Sequence, residues 1–340
     1  LLTRQLEAKR LDQNALRREL PGLSLRVHAG RQNPVAKFLA MKNIDIDSMH
    51  VDLNADSVAG LNGRTEFFTL RSGQLQLDSV RLVISQDSSG VKMRSDIINS
   101  APDNPNHFTA DAEAFLKPRG AGIAFKFYDS EGAKGVDVGV EAILADSGVA
   151  VRLFPERPVI AYRNFRINDD NYLYVDNRQQ LYAHIDLLAD DGTSLQLYGQ
   201  PRDSANDVTL SIARLNLGEL SNVLPYMPRL TGLLNADVHV QQRPGDLTAM
   251  AALDVGQMTL EGTGLGDISL YASYMPEKEH HLFDATLLRD GEQVLQCAGV
   301  YTDKDGGRFA GKADLLGFPL GMANGFMAGT DVSVDGKCRG

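Results

Sequence analysis

The chain of 340 residues has no tryptophan, two cysteines and only 7% aromatic residues. Cys297 and Cys338 cannot build a disulfide framework, so stability has to come from apolar burial along a long chain. They leave the compartment open, because a cysteine-poor chain suits cytosol and periplasm equally. No stretch reaches the roughly 18 apolar residues that a membrane-spanning helix needs, and no secretory leader is visible. Basic residues are in deficit, 34 Lys and Arg against 44 Asp and Glu, for a net charge of −10. A surface for a nucleic-acid duplex or an anionic membrane carries the opposite sign, so no nucleic-acid partner is expected. Hydrophobic residues make up 43%, the composition of a folded globular chain. The chain opens abruptly at Leu1 and stops in mid-pattern at "DVSVDGKCRG", which reads as a fragment of a longer protein.

Catalytic grammar is missing too. "GTGLGD" (262–267) lacks the spacing of a dinucleotide loop and has strand patterns on both sides, so it reads as a turn. His280 and His281 are adjacent on a strand and point to opposite faces, so they do not share a metal ion. The other histidines stand singly, with no Cys or carboxylate cluster at ligand spacing. Asp169-Asp170, Asp190-Asp191 and Glu277 to Glu279 read as hairpin-tip acids. No serine sits in a nucleophile elbow. Cys297 in "VLQCAGVY" reads as a buried structural thiol. No enzyme activity, metal or cofactor is expected.

One long helix is expected, over residues 1–22. "LLTRQLEAKRLDQNALRREL" puts Leu2, Leu6, Leu16 and Leu20 on one stripe, and Pro21-Gly22 stops it. It mixes acids and bases and has no aromatics, which favours capping a β-layer over lying on a membrane. Beyond it nearly everything alternates with period two. "KNIDIDSMHVDLNAD" has Ile44 and Ile46 on one parity, then Met49, Val51 and Leu53 on the other; "GQLQLDSVRLVISQD" has Leu75 and Leu77, then Val80, Leu82 and Ile84. Both switches fall at Asp-Ser (Asp47-Ser48 and Asp78-Ser79). They predict a bulge or bend at each and suggest an internal repeat. Turn signals recur at Asn62-Gly63, Ser72-Gly73, Ser89-Gly90, Ser147-Gly148, Asp191-Gly192, Asp290-Gly291 and Asp305-Gly306-Gly307. Strands this closely spaced leave no room for helical crossovers, so an antiparallel all-β meander is expected. A longer echo links "LGELSNVLPYM…LTGLLNADV" with "FPLGMANGFM…VDGKCRG". Each has one or two helical turns before a new strand, and Gly232 aligns with Gly336 and Leu234 with Cys338.

"LPYMPRLTGLLNADVHV" (224–240) carries the sharpest alternation: Leu234, Ala236, Val238 and Val240 against Asn235, Asp237 and His239. Its apolar face, with Leu195 and Leu197 of "TSLQLYG", must meet something. A second sheet, closure into a barrel, or a curled sheet whose apolar face lines a groove would each satisfy it.

The run "RNFRINDDNYLYVDNRQQLYAHIDLLADDGTSLQLYG" (163–199) resembles the repeating strand unit of the AsmA/TamB-like superfamily, especially TamB-like proteins (translocation and assembly module) of the Bacteroidota type. The matching positions are Asn164, Phe165, Ile167, Leu173, Val175, Asn177, Gln180 and Gly199. "LNLGELSNVLPYMPRLTGLLNADVHV" is similar to the family's linker, and "GDISLYASY" and "FPLGMANGFM" to further phrases. The likeness runs from about Ile44 to the end, with Cys338 where an aliphatic residue is expected. The resemblance implies a long twisted antiparallel sheet, curled into a taco-like apolar groove, with the N-terminal amphipathic helix at its start. The divisions expected are 1–22, 23–160 and 161–340, the last cut short. It also implies a periplasmic protein, held in the inner membrane by a segment outside this sequence, that conducts phospholipid to the outer membrane. It further implies help in outer-membrane protein assembly with a β-barrel partner. Leu195, Leu197, Leu234, Ala236, Val238 and Val240 are the candidate lining for phospholipid or another apolar chain. Two rivals stand beside it: a structural or adhesive β-repeat with a closed apolar core, and an enzyme or glycan-binding sandwich, which calls for clustered surface aromatics or carboxylates.

Overall fold

The computed structural model describes residues 12–73, 75–102, 104, 106–202, 205–224, 227–275, 280–302, 308–319, 321 and 337–339. The protein is all-β and forms two compact units, Leu1–Arg163 and Asn164–Gly340. No helix among the described residues is long and apolar enough to cross a membrane.

In the first unit nine strands run in order, each antiparallel to the next: β1 (Leu23–Gly30), β2 (Ser48–Asp56), β3 (Gly60–Ser72), β4 (Leu75–Gln86), β5 (Val91–Asn99), β6 (Phe108–Lys117), β7 (Gly120–Asp129), β8 (Lys134–Ala145) and β9 (Gly148–Ile160). The second unit continues the same grammar. Its short strands β10 (Arg163–Ile167) and β11 (Tyr172–Asp176) both pair with β12 (Leu181–Ala189). From β12 the meander runs through β13 (Ser194–Arg202), β14 (Ala205–Asn216), β15 (Leu230–Arg243), β16 (Asp246–Leu260), β17 (Thr263–Met275), β18 (His280–Arg289), β19 (Glu292–Thr302), β20 (Arg308–Pro319) and β21 (Lys337–Arg339).

Three short helices are described. α1 (Gln13–Arg18) is capped by Asp12, which accepts from the Ala15 amide at 3.0 Å. It ends before Leu20 and buries Gln13; Leu2 and Leu6 of the expected stripe lie outside the described residues. α2 (Pro34–Ala40) was not expected, yet Asn33 caps it and Pro34 opens it, a signal readable in the sequence. α3 (Leu217–Asn222), capped by Asn216, is the short helical turn expected before β15.

The hairpin expected at Asn62-Gly63 falls four to five residues earlier, at 57–59. Asp56 accepts from the Val58 and Ala59 amides there and closes the turn. Gly63 lies inside β3, where a Cβ would come within 2.6 Å of the Asp52 carbonyl, so its glycine serves a close approach. In "GTGLGD" only Gly262 belongs to the turn; Gly264 and Gly266 are in β17. Asp305 to Gly307 lie outside the described residues, as does Gly336.

The two Asp-Ser pairs are neighbours across one strand. Ser48 faces Phe68, and Phe68 faces Ser79, so Asp47 and Asp78 flank β3 at one level. There β3 carries Thr69 at φ 52°, a left-handed residue that breaks the pleat. Chain direction changes at Asp47, a bend just before β2 begins at Ser48, while β4 runs on but takes its hydrogen bond from elsewhere. The Asp78 amide donates to Asn99 Oδ1 at 2.8 Å. Because the face switches here, Phe67 and Leu70, of opposite parity, both pack on one cluster of Ala29, Ala36, Ile46 and Met49.

The second unit has a similar line of interruptions near one end of its strands. Arg214 (φ 56°) and Gln257 (φ 52°) are left-handed within β14 and β16, and Gly232 and Gly266 also have positive φ. The register slips beside them. Asx side chains replace the lost backbone acceptors: the Arg214 amide donates to Asn235 Oδ1 at 2.9 Å and the Gln257 amide to Asp267 Oδ1 at 2.7 Å. A buried cluster of Leu260, Leu265, Leu287 and Val294 lies at this end, joined by Leu230, Met258, Ile268, Leu295 and Phe318.

Candidate functional site

Strand register turns local alternation into continuous faces. In the second unit one row reads Leu187, Leu195, Ile212, Ala236, Leu253, Leu270, Ala285, Cys297, Ala313 across β12 to β20. The next reads Ile185, Leu197, Leu210, Val238, Ala251, Ala272, Phe283, Gly299, Gly311. Neither row holds a charged side chain. At a strand spacing of about 4.8 Å each row crosses roughly 38 Å.

The six residues singled out from the sequence all belong to this face. Leu195 and Leu197 on β13 reach Ala236 and Val238 on β15 through Ile212 and Leu210 of the intervening β14. Val240 follows opposite Val208, and Leu234 lies opposite Leu215 beyond the slip. Ala236 is buried and the other five are half-buried, while Asn235 and Asp237 are exposed on the other side. Cys297, expected to be a buried thiol, is half-buried and free on this face.

The first unit carries a matching face that the sequence reading did not single out. One of its rows runs Leu25, Leu53, Gly63, Ile84, Met93, Ala114, Ile123, Val140, Leu153 across β1 to β9. The alternation of "AGIAFKFYD" was the available signal; what was missing was the register that lines it up with eight other strands.

These faces are only partly covered. Burial is concentrated at the interrupted ends, whereas mid-face side chains stay open to solvent: Ile123 is 55% exposed, Leu270 44% and Leu210 36%. Contiguous exposed apolar surface on this scale marks a binding surface more often than a packed core.

The opposite faces are polar and internally paired. In the first unit Glu66 accepts from Arg64 at 2.5 Å and from Arg81 at 3.0 Å, and these bonds hold its carboxyl below the usual range. Lys117 meets Glu141 at 3.1 Å and Lys134 meets Asp137 at 2.7 Å. In the second unit His239 Nε2 lies 2.7 Å from Asp207, and this hydrogen bond, with another from Gln241, holds Asp207 low. Ser211 and Ser269 hydroxyls donate to Asp237 at 2.6 Å and Asp254 at 2.5 Å. The adjacent acids Asp169-Asp170 and Asp190-Asp191 sit in turns. Among the described residues, no three His, Cys, Asp or Glu come together to hold a metal ion.

A hollow of about 480 Å³ lies on the polar face of the first unit, among Arg94, Asp111, Glu113, Phe115, Lys126 and Phe154. It brings together aromatics and carboxylates far apart in sequence. Its rings cover glycines: a Cβ on Gly122 would lie 2.3 Å from the Phe115 ring, and one on Gly139 the same distance from Phe154. Its charges are partly paired, with Arg94 3.4 Å from Glu113. The rings thereby fill the space that the glycines leave on neighbouring strands, a feature of sheet packing.

No protein-family model matches the chain, and a comparison with curated proteins finds no match either.

Proposed function

We propose that this chain is a non-enzymatic, periplasmic β-groove segment of an inner-membrane-anchored protein of the AsmA/TamB-like type. In this reading its apolar faces carry phospholipid or another apolar chain between the inner and outer membranes. Assistance to outer-membrane protein assembly, with a β-barrel partner, belongs to the same proposal. One observation supports it above the rest: each unit has an uncharged row nine strands wide that remains open to solvent at its centre. An acyl chain of sixteen carbons keeps roughly 12 kcal/mol of hydrocarbon out of water at about 0.8 kcal/mol per methylene. That cost forbids free passage through an aqueous compartment. A continuous apolar track lowers it at every step without any chemistry.

The test is whether the protein carries lipid. Native mass spectrometry of the purified chain, with organic extraction of the same sample, is expected to show bound acyl lipid that delipidation removes and added phospholipid restores. A chain that never holds lipid, and whose apolar faces are protected in solution, would be the closed structural or adhesive β-repeat instead.

A further inference from the structure

Another hollow, of about 340 Å³, lies at one end of the strands of the second unit, among Arg178, Gln180, Pro201, Asn206, Gln242 and Arg243. Asn206 fixes its floor: Oδ1 accepts from the Leu181 amide at 2.8 Å and Nδ2 donates to the Gln179 carbonyl at 2.9 Å. Its charge is one-sided. Two arginines line it and, among the described residues, no carboxylate does, in a chain of net charge −10. Neither guanidinium has an ion-pair partner among the described residues. The nearby acids are engaged elsewhere. Asp176 accepts from the Arg178 and Gln180 amides, both at 2.8 Å, and Asp207 is held by His239 and Gln241 on the other face. Asp246 stands opposite Arg243 in register but does not line the hollow.

Register places this hollow at the rim of the apolar face. Pro201, Asn206 and Gln242 face one another across β13, β14 and β15. Two residues inward, Gly199, Val208 and Val240 form the next row of the same parity, followed by Leu197, Leu210 and Val238. Two residues of strand span about 7 Å.

We propose that this hollow takes the phosphate of an amphiphile whose chain lies along the adjoining apolar rows. The proposal rests on the apolar-chain reading given above. The argument is one of donors and reach. A guanidinium presents its donors as a fork that matches the oxygens of a phosphate or carboxylate. Two such forks, with the side-chain amides of Gln180 and Gln242 beside them, offer more donors than the two oxygens of a carboxylate can take, whereas a phosphate can engage both forks. The step of about 7 Å along the strands keeps the charged head at the wet strand ends. Hydrocarbon then begins at Val208 and Val240, in rows without charge.

The test uses the whole chain and three twelve-carbon probes: dodecyl phosphate, laurate and uncharged dodecanol, each below its micelle-forming concentration. Binding is read by calorimetry, with inorganic phosphate as the free-anion arm. The wild type is expected to bind dodecyl phosphate about tenfold more tightly than dodecanol, the effect of roughly one charge-assisted hydrogen bond. Laurate should fall between them, and inorganic phosphate should bind far more weakly. Arg178→Gln combined with Arg243→Gln should abolish the preference and leave dodecanol binding unchanged. Both side chains are exposed, at a turn and a strand end, so the fold should tolerate the change. Arg229→Gln combined with Arg289→Gln removes the same charge at the other end of the strands and should leave the preference intact. A preference that survives the first variant overturns the proposal, and so does one that falls equally in both, which is net charge alone. Inorganic phosphate bound as tightly as dodecyl phosphate overturns it in favour of a free-phosphate site, and laurate bound as tightly overturns the choice of phosphate. Wild-type binding of dodecanol without any preference defeats the hollow and spares the apolar-chain reading. No binding of any twelve-carbon probe defeats both.

Discussion

Replacing Val238 with aspartate separates an open apolar face from a sealed one. Val238 is half-buried on β15, facing Leu210 on β14 and Ala251 on β16, in a row without charge. Losing half of a valine's burial costs about 1 kcal/mol. The poorer strand preference of aspartate adds about 1 kcal/mol more. The carboxylate keeps access to water, so the full penalty of a buried charge does not arise. A total near 2 kcal/mol is well within a domain stability of about 5–15 kcal/mol. Val238→Asp should therefore fold, with its urea midpoint lowered by about 1 M, and lose bound lipid. Ala236→Asp is the internal control: it lies two residues away on the same face but is only 8% exposed. An unpaired carboxylate there costs about 3–5 kcal/mol, so this variant should unfold far earlier. Equal destabilisation of the two variants would refute the reasoning, because it would mean that the centre of the face is as closed as the position at Ala236.

Three further outcomes follow from the geometry. Asn235→Ala removes the acceptor for the Arg214 amide and should cost about 1–2 kcal/mol in urea unfolding, while Arg214→Gly, relieving a left-handed residue, should leave stability equal or higher. Asp207 is depressed mainly by its hydrogen bond from His239. Its contribution is therefore fully present above the unfolded carboxylate value of about 3.9 and lost as pH falls through the lower folded value. Below about pH 4 the wild type should lose stability more steeply than His239→Gln. Gly139→Ala drives a methyl against the Phe154 ring and should cost about 1–3 kcal/mol; Phe154→Leu should recover part of that loss in the double variant.

Alternation told the truth along each uninterrupted stretch of strand, where a side chain's face follows its parity. Leu234, Ala236, Val238 and Val240 could thus be placed together from the sequence. What alternation cannot carry is register. The first-unit row from Leu25 to Leu153 was overlooked for that reason. Turn chemistry failed at Asn62-Gly63 because a glycine needed for close strand approach has the same signature as one needed for a turn. The α2 cap at Asn33-Pro34 was legible, but the segment is too short for a helical stripe to stand out against its strand-rich surroundings.

Leu270 and Tyr271 offer the most direct test of the central claim. They are neighbours on β17, 44% and 43% exposed, and register puts them on opposite faces. A photo-crosslinking amino acid at either site meets solvent equally but differs in the face it samples. With the protein loaded with phospholipid, the account predicts lipid adducts at position 270 and almost none at 271. Equal yields at the two positions, or none at 270 in a lipid-loaded protein, would contradict it.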